Sequence, residues 1–137
     1  MFIFFIYSDV RAPTIFWLHG GGFVAGDKAG SEEFATYLTE ATGYTVISAN
    51  YEKAPSAKYP SQIIQTEQLY EFFSQNSSKY PMLDMSKIMF GGDSAGAQIA
   101  AQFVLTQTNT DYAKEVGVNQ VSDKGHIKGS ILFCGPL

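Results

Sequence analysis

Hydrophobic positions along this chain fall into two alternating patterns. Short apolar runs that are typical of buried strands occupy residues 1–7, 14–18, 44–48, 87–91 and 127–134. Between them, segments with apolar residues every three or four positions predict helices over residues 31–42, from 61 to about 74, and from 95 onward. Strands separated by helices indicate βαβ units. The pattern therefore predicts an α/β fold whose mostly parallel sheet has helices on both faces.

The same periodicity predicts which residues form the core. In the first helix, the apolar residues that share one face are Phe34, Tyr37, Leu38 and Ala41. In the second helix, the candidate core residues are Ile63, Ile64, Leu69, Phe72 and Phe73. Trp17 and Cys134 lie within predicted strands, and we expect both in the core. The polar stretch over residues 109–125 is predicted to be a surface excursion.

Two glycine-containing runs follow predicted strands. His19-Gly20-Gly21-Gly22 comes directly after the strand over 14–18 and fits the HGGG-type loop, whose backbone N–H groups bind an oxyanion. Gly92-Asp93-Ser94-Ala95-Gly96 follows the apolar run over 88–90 and fits G-x-S-x-G, which holds a serine on a sharp strand-to-helix turn. One run offers donors for a negative charge and the other offers a nucleophile, so together they predict an acyl-transfer site.

The residues around Ser94 suit such a turn. Gly92, Ala95 and Gly96 leave room beside the serine and allow the following helix to approach the sheet closely. We therefore predict that Ser94 has a positive φ and faces the loop of Gly20 to Gly22. Asp93 is adjacent to the serine and cannot also reach behind a histidine ring, so we expect it to have a structural or hydrogen-bonding role.

In this order, the two motifs resemble those of the hormone-sensitive-lipase-like branch of the α/β-hydrolase family. Asn50-Tyr51-Glu52-Lys53-Ala54-Pro55 is similar to the Tyr-Arg-x-Ala-Pro segment of that branch, with Glu52 where arginine is usual. Tyr59-Pro60 before a helix continues the similarity, and Gln65 stands where the branch usually carries an aspartate. The resemblance extends from about residue 7 to residue 136 and covers the N-terminal half of the family's domain.

The resemblance implies a site and a mechanism. Ser94 is the expected nucleophile, and the expected oxyanion donors are the N–H groups of Gly21, Gly22 and Ala95. Gly20 belongs to the same oxyanion-hole loop and shapes it together with His19. The remaining motif residues, expected to support the turn, are Gly92, Asp93 and Gly96. The triad acid and histidine of the family lie beyond further strands, so we expect residues 1–137 to be one partial α/β-hydrolase domain, close to inactive by itself.

His126 is the one histidine outside the glycine loop. It leads into the amino end of the last strand, whereas this class of fold places catalytic residues beyond the carboxyl ends of strands. We therefore expect an exposed loop histidine too far from Ser94 to act as its base. The last strand itself would leave an apolar sheet edge without a partner strand, and we expect the chain to self-associate there.

Glycine-rich loops also bind nucleotides, so two nucleotide-binding interpretations of this loop remain as alternatives. Gly20-x-Gly22-x-x-Ala25 fits the dinucleotide fingerprint, but no helix is predicted to open on it, and Asn50 stands where an acid is needed. The stretch from Gly21 to Gly26 has P-loop spacing, yet Asp27 replaces the lysine that binds phosphate.

Composition narrows the function classes further. Among 137 residues, 45% are hydrophobic and 16% are charged, which is typical of a globular chain with a core. A net charge of −4 argues against nucleic-acid binding. The apolar opening over residues 1–7 is too short for a membrane span and lacks the basic region of a signal peptide. A single cysteine excludes an intrachain disulfide and is compatible with the cytoplasm. No metal, redox centre or other cofactor is expected.

The sequence thus predicts a serine hydrolase of the carboxylesterase or lipase type, which cleaves small carboxylic esters through an acyl-enzyme on Ser94. Two alternatives remain open. One is a peptidase or amidase of the same fold. The other is a non-catalytic remnant that binds a partner or an acyl ligand.

Overall fold

The computed structural model of the protein describes residues 3–6 and 9–136. Its strands are β1 (Ile3–Ile6), β2 (Ala12–Leu18), β3 (Thr45–Ala49), β4 (Leu83–Asp93) and β5 (Ile127–Phe133). Its α-helices are α1 (Glu32–Thr42), α2 (Ser61–Gln75), α3 (Ala95–Thr108) and α4 (Thr110–Val116). Two short 3-10 helices occupy Lys28–Ser31 and Ser77–Lys79. No helix in these described ranges has the length and apolar character needed to cross a membrane.

One sheet carries all five strands, in the order β1-β3-β2-β4-β5. Strands β3, β2, β4 and β5 run parallel to one another, and β1 pairs with β3 in the antiparallel direction. Parallel neighbours require crossover connections, and helices supply them here. This confirms the predicted α/β class with a mostly parallel sheet. The strand predicted over 1–7 is present over 3–6, and residues 1, 2 and 7 lie outside the described part of the chain.

The core has two parts because side chains along each central strand alternate between the two faces of the sheet. On one face, Phe16 of β2 and Phe90 of β4 are fully buried against Phe73 of α2 and Phe103 of α3. The core residues of the other face, which packs against α1, are Ile15, Trp17, Ala35 and Val46. Helices therefore cover both faces, as the sequence predicts.

Several predicted core positions are wrong. In α1, Tyr37 is 65% exposed and Ala41 is exposed, while Ala35 is the residue fully buried on the sheet. In α2, Phe72 is 45% exposed, while Tyr70 is buried. Cys134 is exposed; it lies just after the end of β5 and has a φ of 51°. Trp17 is buried as predicted.

Polar residues on the buried face of α2 explain part of this misassignment. Thr66 and Glu67 face inward, where hydrophobic periodicity expects apolar side chains. The hydroxyl of Thr66 donates to the carbonyl oxygen of Gln62 at 2.9 Å, and the carboxylate of Glu67 accepts from the backbone N–H and side-chain amide of Asn119 at 3.0 and 2.8 Å. Buried polar groups with partners are tolerated, but they shift the apparent apolar stripe of a helix.

Candidate active site

Ser94 occupies the turn between β4 and α3. Its φ of 51° and ψ of −117° lie in a region that side-chain-bearing residues seldom adopt, at a cost of about 1–3 kcal/mol. Its backbone N–H donates to the carbonyl oxygen of Phe133 at 2.8 Å, and its own carbonyl oxygen accepts from the N–H of Gln98 at 3.2 Å. Both backbone groups of Ser94 are thus hydrogen-bonded within the protein, and the residue is exposed to solvent. The positive φ predicted from the motif is therefore confirmed.

The glycines of the turn are required by close packing against β2. A Cβ on Gly92 would collide with the carbonyl oxygen of Leu18 and the backbone of Gly96, and a Cβ on Gly96 would collide with the same Leu18 carbonyl. Leu18 is the last residue of β2, directly before His19. The turn that presents Ser94 therefore lies against the strand that leads into the glycine loop.

Asp93 makes a second connection between the two motifs. Its Oδ2 accepts a hydrogen bond from the backbone N–H of Gly20 at 3.1 Å. A Cβ on Gly20 would collide with this carboxylate. Asp93 thus has the hydrogen-bonding role expected from the sequence. Because the N–H of Gly20 is engaged by Asp93, this residue shapes the loop rather than offering a free donor.

The glycine loop reverses direction within a few residues. Gly21 and Gly22 have φ values of 127° and 61°, and Phe23 continues with 66°. The carbonyl oxygen of Gly21 accepts from the N–H groups of Val24 and Ala25 at 3.1 and 2.9 Å, which closes the turn. A side chain at Gly21 would collide with the backbone of Ala25. Glycine at this position is therefore a steric requirement of the loop.

His19 is a buried support of the loop. Its side chain is 3% exposed and stacks on Tyr51, with ring centroids 4.4 Å apart. Its Nδ1 lies 2.7 Å from the carbonyl oxygen of Gly20. A carbonyl can only accept, so the ring proton is assigned to Nδ1. Tyr51 donates its hydroxyl proton to the carbonyl oxygen of His19 at 2.8 Å. Burial, with a smaller contribution from the charge of Asp93, raises the pKa of Tyr51 to about 12.

The segment after β3 holds the loop from a second side. The N–H of Ala54 donates to the carbonyl oxygen of Phe23 at 2.8 Å, and Nζ of Lys53 donates to that of Gly26 at 2.7 Å. With Tyr51, these contacts attach the 51–54 segment to the glycine loop at three points. Sequence patterns did not assign these roles, because each joins residues that are distant along the chain.

The two residues that depart from the family pattern contact each other. The N–H of Glu52 donates to Oε1 of Gln65 at 2.8 Å, and Nε2 of Gln65 lies 3.4 Å from Oε2 of Glu52. An amide and a carboxylate therefore join the 51–54 segment to α2 at the two positions where this sequence departs from the family pattern.

Asp27 ends the glycine loop and caps the 3-10 helix that follows. Its carboxylate accepts from the N–H of Ala29 at 2.9 Å and from the side-chain amide of Asn50 at 2.8 Å. These two hydrogen bonds, in that order of importance, hold the pKa of Asp27 below its usual value. Asn50 also accepts from the N–H of Lys28 at 2.7 Å, so the end of β3 orders this part of the loop.

Three backbone N–H groups of the two motifs have no acceptor in the part of the chain that the structure describes. Across residues 9–136, no backbone hydrogen bond uses the N–H of Gly21, Gly22 or Ala95 as a donor. The N–H of Ala95 is one of the first four of α3, which have no partner inside the helix. Free backbone N–H groups can stabilise the oxyanion of a tetrahedral intermediate where they lie close to the reacting carbonyl.

His126 lies at the opposite end of the sheet from Ser94. In the parallel pairing of β4 with β5, Ile88 is level with Ile127, and Asp93 is level with Phe133. Five residues of strand separate these two levels, a rise of about 17 Å. His126 precedes Ile127, and its Nδ1 lies 3.6 Å from Oδ2 of Asp123. The ring is therefore far outside hydrogen-bonding range of Ser94, although it is half-buried rather than exposed.

In the described ranges, no group of His, Cys, Asp and Glu side chains has the arrangement of a metal site.

Comparison with known proteins identifies the family. Residues 15–136 match the family described as having the alpha/beta hydrolase fold. This chain belongs to the α/β-hydrolase family. Over 87 residues, the chain is 41% identical to an acetyl esterase of Salmonella agona (strain SL483) and 40% identical to an acetyl esterase of Salmonella typhi. Each match covers 64% of this chain and 27% of the relative, so this α/β-hydrolase chain spans about a quarter of their length.

Solved structures agree on the fold. Esterase B from Lactobacillus rhamnosis (HN001) superposes with a TM-score of 0.82 at 24% identity, over 95% of this chain and 40% of that one. A bacterial heroin esterase gives 0.72 at 27% identity, over 80% of this chain and 35% of that one. An esterase from Pyrobaculum calidifontis gives 0.66 at 29% identity, over 82% of this chain and 34% of that one. Each of these esterases is more than twice as long as the part that this chain matches.

Proposed function

We propose that this chain carries the nucleophile and oxyanion-binding half of a carboxylesterase that cleaves small carboxylic esters. One observation carries the proposal: Ser94 is exposed at a strand-to-helix turn with positive φ, and that turn packs on the strand that leads into the glycine loop. Relatives described as acetyl esterases support an ester substrate.

The chemistry follows from these groups. Oγ of Ser94 forms a bond to the ester carbonyl carbon, while its proton passes to a general base. The carbonyl oxygen becomes an oxyanion, which accepts hydrogen bonds from the N–H groups of Gly21, Gly22 and Ala95. Collapse of this intermediate expels the alcohol, which takes up the proton, and leaves an acyl-enzyme on Ser94. Water then attacks the acyl carbon, releases the carboxylic acid and restores the serine.

Neither of the two histidines in the sequence is placed to act as the general base of Ser94. The acidic residues and the histidine that follow it in the sequence are Asp111, Glu115, Asp123 and His126. His126 is about 17 Å away, and His19 is buried with its Nδ1 on Gly20. Loss of a triad member lowers turnover by about 10⁴–10⁶. We therefore expect little turnover from residues 1–137 alone.

A comparison of ester hydrolysis tests this proposal. Residues 1–137 should hydrolyse p-nitrophenyl acetate little faster than the Ser94→Ala variant. A chain extended by the downstream segment of the gene, where there is one, should gain turnover that Ser94→Ala abolishes. Substantial serine-dependent turnover by residues 1–137 would show that the base is already present. An extended chain that remains inert would favour a non-catalytic binding role.

Matched ester and anilide substrates separate the esterase from an amidase or peptidase of the same fold. The esterase proposal predicts turnover of the ester alone, and comparable rates on both would favour the alternative. The cytoplasmic location predicted from the sequence stays a prediction.

A further inference from the structure

The glycine loop closes on itself, so that its two limbs are in contact. A Cβ on Gly26 would collide with the carbonyl oxygen of Gly20 and with the ring of His19. A Cβ on Gly21 would collide with the carbonyl group of Ala25. The limb that carries the expected oxyanion donors therefore packs directly on the returning limb. A displacement of the returning limb is passed on to the donors through these backbone contacts.

The loop needs hydrogen bonds from outside to keep this shape. Phe23, at its tip, has a φ of 66°, which is uncommon for a residue with a side chain. Val24, Ala25 and Gly26 on the returning limb are exposed, so burial contributes little to holding that limb. An exposed limb beside a strained residue opens easily unless hydrogen bonds restrain it.

Two side chains of opposite charge hold the two ends of the loop. The carboxylate of Asp93 accepts from the N–H of Gly20 at 3.1 Å. The ammonium of Lys53 donates to the carbonyl oxygen of Gly26 at 2.7 Å. This second distance is typical of charge-assisted hydrogen bonds, which are about twice as strong as neutral ones. Each side chain carries the charge that suits its backbone partner, since a carboxylate accepts from N–H and an ammonium donates to a carbonyl.

Lys53 reaches the loop from an ordered stretch of backbone. Its own carbonyl oxygen accepts from the N–H of Ala57 at 3.0 Å, and the N–H of Ala54 donates to the carbonyl oxygen of Phe23 at 2.8 Å. The residue is half-buried, so part of its side-chain freedom is already restricted before it contacts Gly26. The Tyr-Arg-x-Ala-Pro pattern specifies no residue at this position, so the pattern does not account for a lysine here.

We propose that Lys53 is a positioning residue of the oxyanion hole. Its ammonium fixes the carbonyl of Gly26, and the contact between the two limbs then holds the N–H groups of Gly21 and Gly22 in the orientation that the oxyanion requires. The inference rests on the proposed function for the reaction. It adds a charged side chain that acts through the loop rather than on the substrate.

Hydrogen exchange in the isolated chain tests this restraint without any catalysis. The reporters are the N–H groups of Gly20, Val24 and Ala25, whose hydrogen bonds close the loop. Lys53→Met removes the ammonium and keeps an apolar stem, and these N–H groups should then exchange at least about tenfold faster. Lys79→Met makes the same change at an exposed lysine outside the loop and should leave the rates unchanged. Unchanged rates in Lys53→Met, or equal acceleration in both variants, would overturn the inference.

Lys53→Arg provides the conservative comparison. A guanidinium is also a charged donor, so the exchange rates should stay within about threefold of those of the parent chain. Acceleration as large as that in Lys53→Met would show that a charged donor at this position is not what holds the loop, and it would contradict the proposal.

Turnover of p-nitrophenyl acetate by the extended chain tests the consequence for catalysis. Removal of one oxyanion donor lowers kcat by about 10²–10³, and donors that are displaced rather than removed should cost less. We expect Lys53→Met to lower kcat about tenfold to hundredfold and to leave KM within about twofold, because the oxyanion forms only as the transition state is approached. Lys53→Arg should retain most of the parent kcat, and Lys79→Met all of it.

The kinetic outcomes separate this inference from the proposed function. An unchanged kcat in Lys53→Met, or a change confined to KM, would contradict the positioning role. If the extended chain has no turnover that Ser94→Ala abolishes, the proposed function fails, and the exchange rates still decide whether Lys53 holds the loop.

Discussion

Gly96→Ala tests the packing that joins the two motifs. The new Cβ would collide with the carbonyl carbon and oxygen of Leu18 and would lie 2.7 Å from the carbonyl oxygen of His19. All of these are backbone atoms, so no side chain can rotate away. Overpacking of a core costs about 1–3 kcal/mol even when side chains can adjust. We therefore expect Gly96→Ala to lower the free energy of unfolding by about 3 kcal/mol or more.

Gly30→Ala is the matched control, since a Cβ there meets nothing within 4 Å and the φ of Gly30 is not positive. It should leave stability unchanged or raise it by up to about 1 kcal/mol. Urea unfolding followed by circular dichroism measures both variants. A loss of 3 kcal/mol lowers the midpoint by about 1–3 M. If Gly96→Ala lies within about 0.5 kcal/mol of the control, the serine turn does not pack on β2 as described, and the geometric basis of the site fails.

Three further predictions concern the surroundings of the site. The phenol of Tyr51 should titrate near pH 12 in an absorbance titration, because burial and the charge of Asp93 disfavour its ionised form. The pKa of Tyr51 in the folded protein exceeds the value of 10.0 in the unfolded chain. The neutral phenol therefore stabilises the fold below pH 10, and this contribution is lost as the pH rises toward 12. Titration of Tyr51 near pH 10 would contradict this account. Gln65→Glu places a second carboxylate beside Glu52. Urea unfolding should therefore show a free energy of unfolding that is lower by about 0.5–1 kcal/mol at pH 7, and this loss should disappear below pH 4. Equal losses at both pH values would refute the contact between residues 52 and 65. Phe133, 45% exposed on the edge strand β5, should promote self-association, and Phe133→Lys should shift sedimentation toward monomer; a monomeric parent chain would remove this prediction.

Much of the fold could be predicted from the sequence because local signals agreed with the tertiary structure. Helix α1 ends where Gly43 adopts a φ of 72°, as a terminal glycine indicates. The serine turn was predictable because the motif itself places glycine at positions 92 and 96, although the close approach of Leu18 that requires these glycines is seen only in the structure. Boundaries were weaker: β4 begins at Leu83, several residues before the predicted strand over 87–91.

The misses have a common physical reason, which is that burial depends on distant partners. Glu67 is buried because Asn119, far along the chain, donates to its carboxylate. Helix α4 was missed in a polar stretch, although its ends carry ordinary signals. Asn109 accepts from the N–H of Tyr112 at 3.0 Å at the start of the helix, and Gly117 has a φ of 79° at its end. Those two signals could have identified the helix.

The candidate site also contains residues that the sequence predicts and residues that it does not. The spacing of the two motifs alone predicted Ser94 and the glycine loop. The support that Tyr51 and Lys53 give to that loop was not, because each contact spans more than 25 residues of sequence. The meeting of Glu52 with Gln65 also required the structure, since neither residue conforms to the family pattern at its position.

The nucleophilic role of Ser94 is the central claim, and covalent labelling tests it most directly. The chain, extended by the downstream segment of the gene where there is one, is treated with a fluorophosphonate and digested. The modified residue is then located by mass spectrometry. We predict a single phosphonylated peptide containing Ser94, and no label in Ser94→Ala. Modification of a different serine, or equal labelling of the Ser94→Ala variant, would contradict the account.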